Sequence, residues 1–186
     1  MNFEINMYHQ PHEVLISEAE IQARVKEMAL EIADEYRGKN PVFVGVLRGV
    51  CVFFSDFIRE FPDHCMIDFM GVSSYRGAHS TGECIISKDV STELRNRHVI
   101  ILEDIFDTGK SLDFTYNFIL TKKPASVKII TLLDKPARRK PWIDLQPDMV
   151  GFTIPDKFVV GYGLDYNEQF RNLPYVAAID PEELHF

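Results

Sequence analysis

The stretch "HVIILEDIFDTGKSL", from His98 to Leu112, runs an apolar segment directly into three acids and a Thr-Gly-Lys-Ser sequence. The segment from Val99 to Leu102 is short and continuously apolar, which is typical of a buried strand. Glu103 and Asp104 follow at its carboxyl end, the edge where open parallel sheets bind their ligands. The stretch therefore predicts a strand, a functional loop and a helix over 111–121.

The turn between the acids and this helix has the composition of a phosphate site. Backbone N–H groups and hydroxyls of Thr108, Gly109, Lys110 and Ser111 can surround a terminal phosphate at a helix N-terminus. A nucleotide-triphosphate P-loop needs Gly-x-x-x-x-Gly-Lys-Ser, but Asp104 occupies the first glycine position, which excludes that motif. Acids beside a phosphate turn suit a phosphorylated ribose with a bound divalent cation.

The rest of the chain predicts an α/β fold with a mainly parallel sheet. Ser17 and Glu20 have capping-box spacing, and the apolar periodicity that follows predicts an amphipathic helix ending at Gly38. A strand over 41–46 and a helix over 50–61 come next. Continuous apolar strands that alternate with helices imply a sheet covered on both faces. Further strands are predicted over 66–72, 83–87, 98–104, 126–133, 149–154, 157–163 and 175–179.

The bulk properties indicate one soluble domain. The chain has 186 residues, of which 46% are hydrophobic, and no targeting segment or membrane-spanning apolar run is present. Cys51, Cys65 and Cys84 lack the spacing of a disulfide framework or a zinc site, so we expect a reducing, cytoplasmic location. The net charge of −8 disfavours nucleic acid as a partner. No membrane partner is expected.

Five segments together resemble the type I phosphoribosyltransferases, and among them the hypoxanthine-guanine phosphoribosyltransferases of bacteria. The opening stretch resembles the family's phosphoribosyl-diphosphate motif, and the resemblance covers about Val42 to Val176. It implies a twisted, mainly parallel sheet flanked by helices, a small hood from the chain ends, and one domain, 1–186, with its core over about 38–176. The other segments are "GVLRGV" as pyrophosphate loop, "SSYRGAHSTGE" (73–83) as flexible lid, and "LLDKPARR" and "PDKFVVGYGLDYNEQFRNLPY" around the purine.

The resemblance implies a role for each matching residue near the ribose and its phosphates. Glu103 and Asp104 hold the ribose hydroxyls and the metal region, and Asp107 exchanges a proton with N7 of the purine. A cationic sugar needs nearby negative charge, and the incoming base must lose a proton. The 5′-phosphate is bound by Asp107, Thr108, Gly109, Lys110 and Ser111, and the pyrophosphate by Leu47, Arg48, Gly49 and Arg171.

The remaining matches concern the purine, the metal and the lid. Lys135 resembles the donor to the purine 6-oxo group, Phe158 the stacking ring and Val159 a backbone contact to the base. Asp165 lies near the base and resembles a ligand of Mg²⁺, together with Glu103 and Asp104. Ser74 and Tyr75 belong to the lid, although the segment by itself equally fits a long hairpin connection.

The resemblance implies a purine salvage enzyme. With Mg²⁺, it transfers 5-phosphoribosyl from phosphoribosyl diphosphate to N9 of hypoxanthine or guanine, which gives IMP or GMP and pyrophosphate. Members usually form homodimers or homotetramers. A xanthine-preferring relative stays open, because contacts at the purine 2-position are mainly backbone. A regulatory RNA-binding protein of this fold is disfavoured by Asp107, Lys135, Arg171 and the acidic balance.

Overall fold

Twelve regular elements lie in the part of the chain that the structure, a computed structural model, describes, namely residues 12–74 and 84–182. The helices are α1 (Glu18–Glu35), α2 (Cys51–Glu60) and α3 (Lys110–Thr121). The strands are β1 (Glu13–Ile16), β2 (Val42–Leu47), β3 (Met66–Ser74), β4 (Cys84–Lys88), β5 (His98–Phe106), β6 (Ser126–Asp134), β7 (Met149–Thr153), β8 (Phe158–Val160) and β9 (Val176–Ile179).

The main sheet has six strands in the order β4, β3, β2, β5, β6 and β7. All neighbouring pairs are parallel except β3 and the edge strand β4, which are antiparallel. The predicted mainly parallel sheet is therefore confirmed. Because Leu47 pairs with Gly71, and Phe106 with Asp134, the carboxyl ends of the inner strands share one edge. The loops at this edge carry most of the predicted site residues.

Apolar residues cover both faces of the sheet, and alternate positions along each strand go to opposite faces. Phe43 and Ile100 belong to the cluster that contains the buried faces of α1 and α2. Val44 and Ile101 belong to a second cluster with residues of α3. Each fully buried aliphatic or aromatic side chain stabilises the fold by about 1.5–3 kcal/mol. Two-sided burial explains why the strands are apolar without alternation.

The two ends of the described chain form a small second sheet in the order β1, β9 and β8. Both pairings are antiparallel, so β1 near the N-terminus and β9 near the C-terminus lie side by side. This confirms the expected hood from the chain ends. The strand predicted over 157–163 stops at Val160, because Gly161, Tyr162 and Gly163 all have positive φ angles and turn the chain. β1 was not predicted, since its four residues carry too short a pattern.

The helix ends follow local chemistry. Ser17 Oγ accepts a hydrogen bond from Glu20 N, and Glu20 accepts from Ser17 N at 2.9 Å, so the predicted capping box is present. α3 begins at Lys110, one residue before the predicted start, because Gly109 forms the N-cap with φ of +87°. Of the predicted lid, Tyr75 and the residues up to 83 lie outside the described part. No helix in the described ranges is long and apolar enough to cross a membrane.

A buried carboxylate fixes the chain that returns from β4 toward β5. Asp68 accepts hydrogen bonds from the backbone N–H groups of Phe69, Ser91 and Thr92, each at 2.7 Å. Burial by itself would raise the pKa of Asp68, but these donors outweigh it and lower the pKa to about 2. The folded protein therefore favours the ionised carboxylate and binds fewer protons there than the unfolded chain does.

Replacing Asp68 with Asn is expected to lower the free energy of unfolding by about 2 kcal/mol at pH 7, because an amide group faces several N–H donors. The stabilisation by wild-type Asp68 is present above pH 4 and is lost as pH falls toward 2. The difference between variant and wild type should shrink over that interval in urea unfolding. Asp34→Asn, in an exposed ion pair with Arg37, is the control and should change stability by under about 0.5 kcal/mol. An equal loss in both variants would contradict this role.

Candidate active site

Two adjacent acids lie at the carboxyl end of β5. Glu103 is buried, and its Oε2 atom has no hydrogen-bond partner among the described residues. Burial, and secondarily the charge of Asp104, raises the pKa of Glu103 well above its ordinary value. Burial also raises the pKa of Asp104 to about 6, although the Ile105 N–H and the Arg171 charge act in the opposite direction. Without a cation, this pair resists full ionisation.

The turn after these acids has its carbonyl groups occupied by a neighbouring segment. The Asp107 carbonyl accepts a hydrogen bond from Arg139 Nη1 at 2.8 Å, and the Thr108 carbonyl accepts from Lys140 N at 3.1 Å. Gly109 has no room for a side chain, since an added Cβ atom would lie 2.8 Å from Ile143 Cγ2. A cavity of about 210 Å³ extends along the acids and this turn to Ser111 and Leu112.

The loop after β2 approaches the acids closely. A Cβ atom added to Gly49 would lie 1.7 Å from Asp104 Oδ2, and one added to Gly163 would lie 1.9 Å from the Gly49 carbonyl oxygen. The peptide between Leu47 and Arg48 is cis. Three distant segments therefore meet here: the Gly49 backbone lies against the Asp104 carboxylate, and the Gly163 backbone lies against the Gly49 carbonyl group.

Arginine side chains from two of these segments converge on carboxylates. Arg171 donates to the Gly163 carbonyl at 2.8 Å and pairs with Asp165 at 2.8 Å. Glu168 Oε2 lies 2.9 Å from Arg48 Nη1 and 3.2 Å from Arg171 Nη2. One carboxylate oxygen thus joins the two arginines that the sequence predicted to bind pyrophosphate.

A second cavity, of about 340 Å³, lies between β6 and the hood. Lys135 is buried there and donates to the Lys157 carbonyl at 2.8 Å. No carboxylate in the described ranges is within salt-bridge distance of its ammonium group. Phe158 is 43% exposed, and its ring lies edge-on to Tyr166 with centroids 5.5 Å apart. Val159 and Asp165 also line the cavity.

The two cavities meet at Asp107, which lines both. Its Oδ1 atom is buried without a hydrogen bond among the described residues, and Arg138 Nε lies 3.5 Å away, too far for a good one. Asp107 can therefore act on a ligand that extends through both cavities. Such a ligand would have its anionic end at the 107–111 turn and its aromatic end near Phe158.

Most of the predicted site residues line these two cavities. Gly49 lies against Asp104, Arg48 pairs with Glu168 and Arg171 pairs with Asp165, whereas Leu47 and Lys110 line neither cavity. Four contacting residues were not identified from sequence, namely Asp134, Arg138, Arg139 and Glu168. The arginine pair stands inside "LLDKPARR", so its presence was visible, but nothing local indicates that Arg139 reaches back to β5. Ser74 ends β3, and its side chain lies outside the described part, as does Tyr75. No group of three or more potential metal ligands occurs in the described ranges.

Comparison with known proteins identifies the family to which the chain belongs. The model of the family described as "Phosphoribosyl transferase domain" matches residues 16–167, which include both acids, the phosphate turn and Lys135. The chain therefore belongs to the phosphoribosyltransferase family. Its mainly parallel sheet, with a hood beside the carboxyl edge, is the type I fold of that family.

Particular relatives narrow the family further. The hypoxanthine-guanine phosphoribosyltransferase of Bacillus subtilis is 46% identical over 176 residues, which cover 94% of this chain and 97% of the relative. A crystal structure of a hypoxanthine phosphoribosyltransferase from Staphylococcus aureus superposes with a TM-score of 0.90 at 45% identity, covering 97% and 98%. The resemblance to hypoxanthine-guanine phosphoribosyltransferases is thus confirmed. The chain also matches a "Bifunctional protein TilS/HprT" of Listeria monocytogenes at 44% identity, but spans only about a quarter (27%) of its length.

Replacing Glu103 with Gln is expected to stabilise the metal-free protein at neutral and alkaline pH. The pKa of Glu103 is higher in the folded state, so wild-type stability falls as pH rises from the unfolded value of 4.5 toward the folded one. Gln cannot ionise and avoids this loss, which is about 1.4 kcal/mol for each unit of pKa difference. Chemical unfolding with EDTA at pH 5 and 8 measures the effect.

The exposed Glu31 on α1 supplies the control, since Glu31→Gln should leave the pH dependence unchanged. If Glu103→Gln were no more stable than wild type at pH 8, the inference that Glu103 is buried as a neutral carboxyl group would be contradicted.

Proposed function

We propose that the protein transfers 5-phosphoribosyl from phosphoribosyl diphosphate to N9 of hypoxanthine or guanine, as a purine salvage enzyme that gives IMP or GMP and pyrophosphate. The observation that carries this proposal is that Asp107 lines both the cavity of the phosphate turn and the cavity of Lys135 and Phe158. A nucleoside monophosphate carries a phosphate at one end and a base at the other, so it suits two cavities that share a lining residue. The family membership and the names of the relatives support the same reaction.

Lys135 is the proposed determinant of base choice. Its ammonium has three N–H donors, of which one is used on the Lys157 carbonyl, so two can reach a purine 6-oxo group. Because the ammonium is buried, a ligand acceptor would relieve an unpaired charge. Phe158 would stack on the ring, and the Val159 backbone would contact its edge. These backbone contacts leave xanthine as an alternative base.

Asp107 is the proposed acid-base group. The purine must lose a proton as N9 bonds to the sugar, and the carboxylate Oδ1 atom has free acceptor capacity beside the base cavity. Negative charge near a sugar that becomes cationic would come from Asp104 and Glu103, which precede Asp107 by three and four residues. The amide groups of the 107–111 turn would bind the 5′-phosphate at the N-terminus of α3.

Mg²⁺ fits the acids of this site. Glu103 and Asp104 are oxygen donors whose raised pKa values would fall beside a cation, and Asp165 is a third carboxylate near Arg171. The described residues contain no complete protein cage, which suits Mg²⁺, since it keeps waters and substrate oxygens as ligands. When bound, the ion would neutralise the charge of the departing pyrophosphate.

The pyrophosphate is proposed to bind loop amides and two guanidinium groups, which are supplied by Leu47, Arg48, Gly49 and Arg171. We further propose one domain over 1–186 and a homodimer or homotetramer. The three cysteines are unpaired thiols, which supports a reducing cytoplasmic location. The lid role of Ser74 and Tyr75 stays a prediction.

Initial rates with hypoxanthine, guanine, xanthine and adenine at saturating phosphoribosyl diphosphate and Mg²⁺ test the function. Adenine should be rejected by roughly 10⁴-fold, because its 6-amino group would face the Lys135 donors. Lys135→Met keeps the side-chain length and should lose about 10- to 10²-fold in kcat/KM for the oxopurines. Its discrimination against adenine should shrink.

Absence of nucleotide formation with every base would contradict the proposed function. If the wild type is active but Lys135→Met uses hypoxanthine equally well, only the base-selecting role is wrong. Lys39→Met is the control, since Lys39 is exposed and stacks over Tyr36 far from the site.

Replacing Glu168 with Gln should strengthen pyrophosphate binding. Glu168 pairs with both arginines proposed to hold pyrophosphate, so it competes with that product. Exposed ion pairs contribute about 0.2–1 kcal/mol, which corresponds to a roughly 1.4- to 5-fold lower product-inhibition constant. The gain should diminish in 0.5 M salt, because screening weakens the competing pair. Glu31→Gln serves again as control, and weaker pyrophosphate inhibition of Glu168→Gln would refute the competition.

A further inference from the structure

Arg139 connects the end of β6 to the turn that follows β5. A short 3₁₀ turn, Pro136–Arg138, brings the chain back so that the Arg139 side chain, only 13% exposed, lies against that turn. Its Nη1 atom donates to the Asp107 carbonyl at 2.8 Å, and its Nη2 atom pairs with the Asp134 carboxylate. The guanidinium carbon lies 3.0 Å from the centroid of the Phe106 ring.

The bond to the Asp107 carbonyl has a directional consequence. In a trans peptide, the C=O of one residue and the N–H of the next share a plane and point in opposite directions. The one cis peptide in the described ranges is Leu47–Arg48, so the peptide between Asp107 and Thr108 is trans. Holding the Asp107 carbonyl toward Arg139 therefore aims the Thr108 N–H away from it, on the side of the turn opposite the guanidinium.

The next peptide is held in the same way but without a side chain. Lys140 N donates to the Thr108 carbonyl at 3.1 Å, which orients the Gly109 N–H. A Cβ atom added to Gly109 would lie 3.2 Å from Arg139 Cδ, so the stem of Arg139 fills the space beside this glycine. Arg139 is thus the one described side chain that both binds and packs against the turn.

We propose that Arg139 is a positioning residue that aims the Thr108 N–H and the Asp107 side chain by holding the carbonyl group between them. The proposal rests on the proposed function, because it assigns the turn to the 5′-phosphate and Asp107 to proton transfer. A planar guanidinium suits the task, since its fixed fork reaches a carbonyl and a carboxylate at once. The ion pair with Asp134 ties the phosphate turn to the last residue of β6, directly before Lys135.

The adjacent arginine has a different relation to Asp107. Arg138 is half-exposed and lies near the Asp107 carboxylate, with Nε 3.5 Å from Oδ1 and 3.9 Å from Asp156 Oδ1. It therefore lies beside the Asp107 carboxylate, whereas Arg139 holds the Asp107 backbone carbonyl. Of these two arginines, only Arg139 should alter the binding of the 5′-phosphate when it is replaced.

The test compares wild type with Arg139→Met, which keeps the apolar stem beside Gly109 and removes both donors. The dissociation constant of IMP should rise about 10- to 10²-fold, because one charge-assisted bond no longer orders the phosphate turn. Binding of inosine should change by less than about 3-fold, because inosine has no phosphate for the turn to bind. The turnover number should fall by about 10-fold or more, since Asp107 is displaced, while KM for hypoxanthine stays nearly constant.

Arg24 provides a matched control, because it also donates to backbone carbonyls, of Val150 and Gly151, but away from both cavities. Arg24→Met should lower the melting temperature without changing the ratio of IMP to inosine affinity. Arg139→Lys keeps one charged donor but loses the planar guanidinium, so its ratio of IMP to inosine affinity should lie between those of wild type and Arg139→Met. This variant replaces Arg139→Met in the test if the latter does not fold.

An unchanged ratio in an active Arg139→Met enzyme, or equal losses for IMP and inosine, would overturn the positioning role. Failure of the wild type to form any nucleotide would instead overturn the proposed function.

Discussion

The close approach of Asp104, Gly49 and Gly163 is the constraint on which the site depends. An added Cβ atom at Gly49 would lie 1.7 Å from the Asp104 carboxylate, and one at Gly163 would lie 1.9 Å from the Gly49 carbonyl oxygen, so neither glycine has room for a side chain. This contact holds the loop after β2 against the acids and the hood segment against that loop. The two arginines proposed to bind pyrophosphate, Arg48 and Arg171, come from these same segments. Their convergence follows from the absence of two side chains.

The charges of the site are balanced internally. Burial raises the pKa values of Glu103 and Asp104, and the positive charge of Arg171 partly opposes the rise at Asp104. Arg171 in turn pairs with Asp165 and Glu168. The carboxylates and guanidinium groups thus form one connected set of charges. A bound cation could pair with the carboxylates while a diphosphate pairs with the arginines, so no buried charge would be left unpaired. A chain of net charge −8 thus presents local cationic groups to the proposed anionic substrate.

Much of the fold could be predicted because its signals are local. The capping box of α1, the continuous apolar runs of β2, β5 and β6, and the strand-turn-helix around Gly109 each lie within a few residues of sequence. The predicted end of a strand was wrong where the backbone conformation turns the chain. Gly161 and Tyr162 have positive φ angles, so β8 ends earlier than predicted. β1 was missed because its partner β9 lies at the other end of the chain.

The sequence by itself determined the mainly parallel sheet, because continuous apolar strands alternate with helices over short distances. It also predicted a phosphate-binding turn after β5 from local glycine, hydroxyl and charge positions, while the roles of the surrounding residues rest on the family resemblance and stay proposals. Only the tertiary structure decided that Asp107 lies where two cavities meet, that Glu168 bridges two arginines, and that Arg139 holds the turn from a different strand. The Arg139–Asp107 and Arg48–Glu168 contacts join residues that are 32 and 120 positions apart. Their geometry depends on strand register and on how closely glycine backbones approach, which no local pattern encodes.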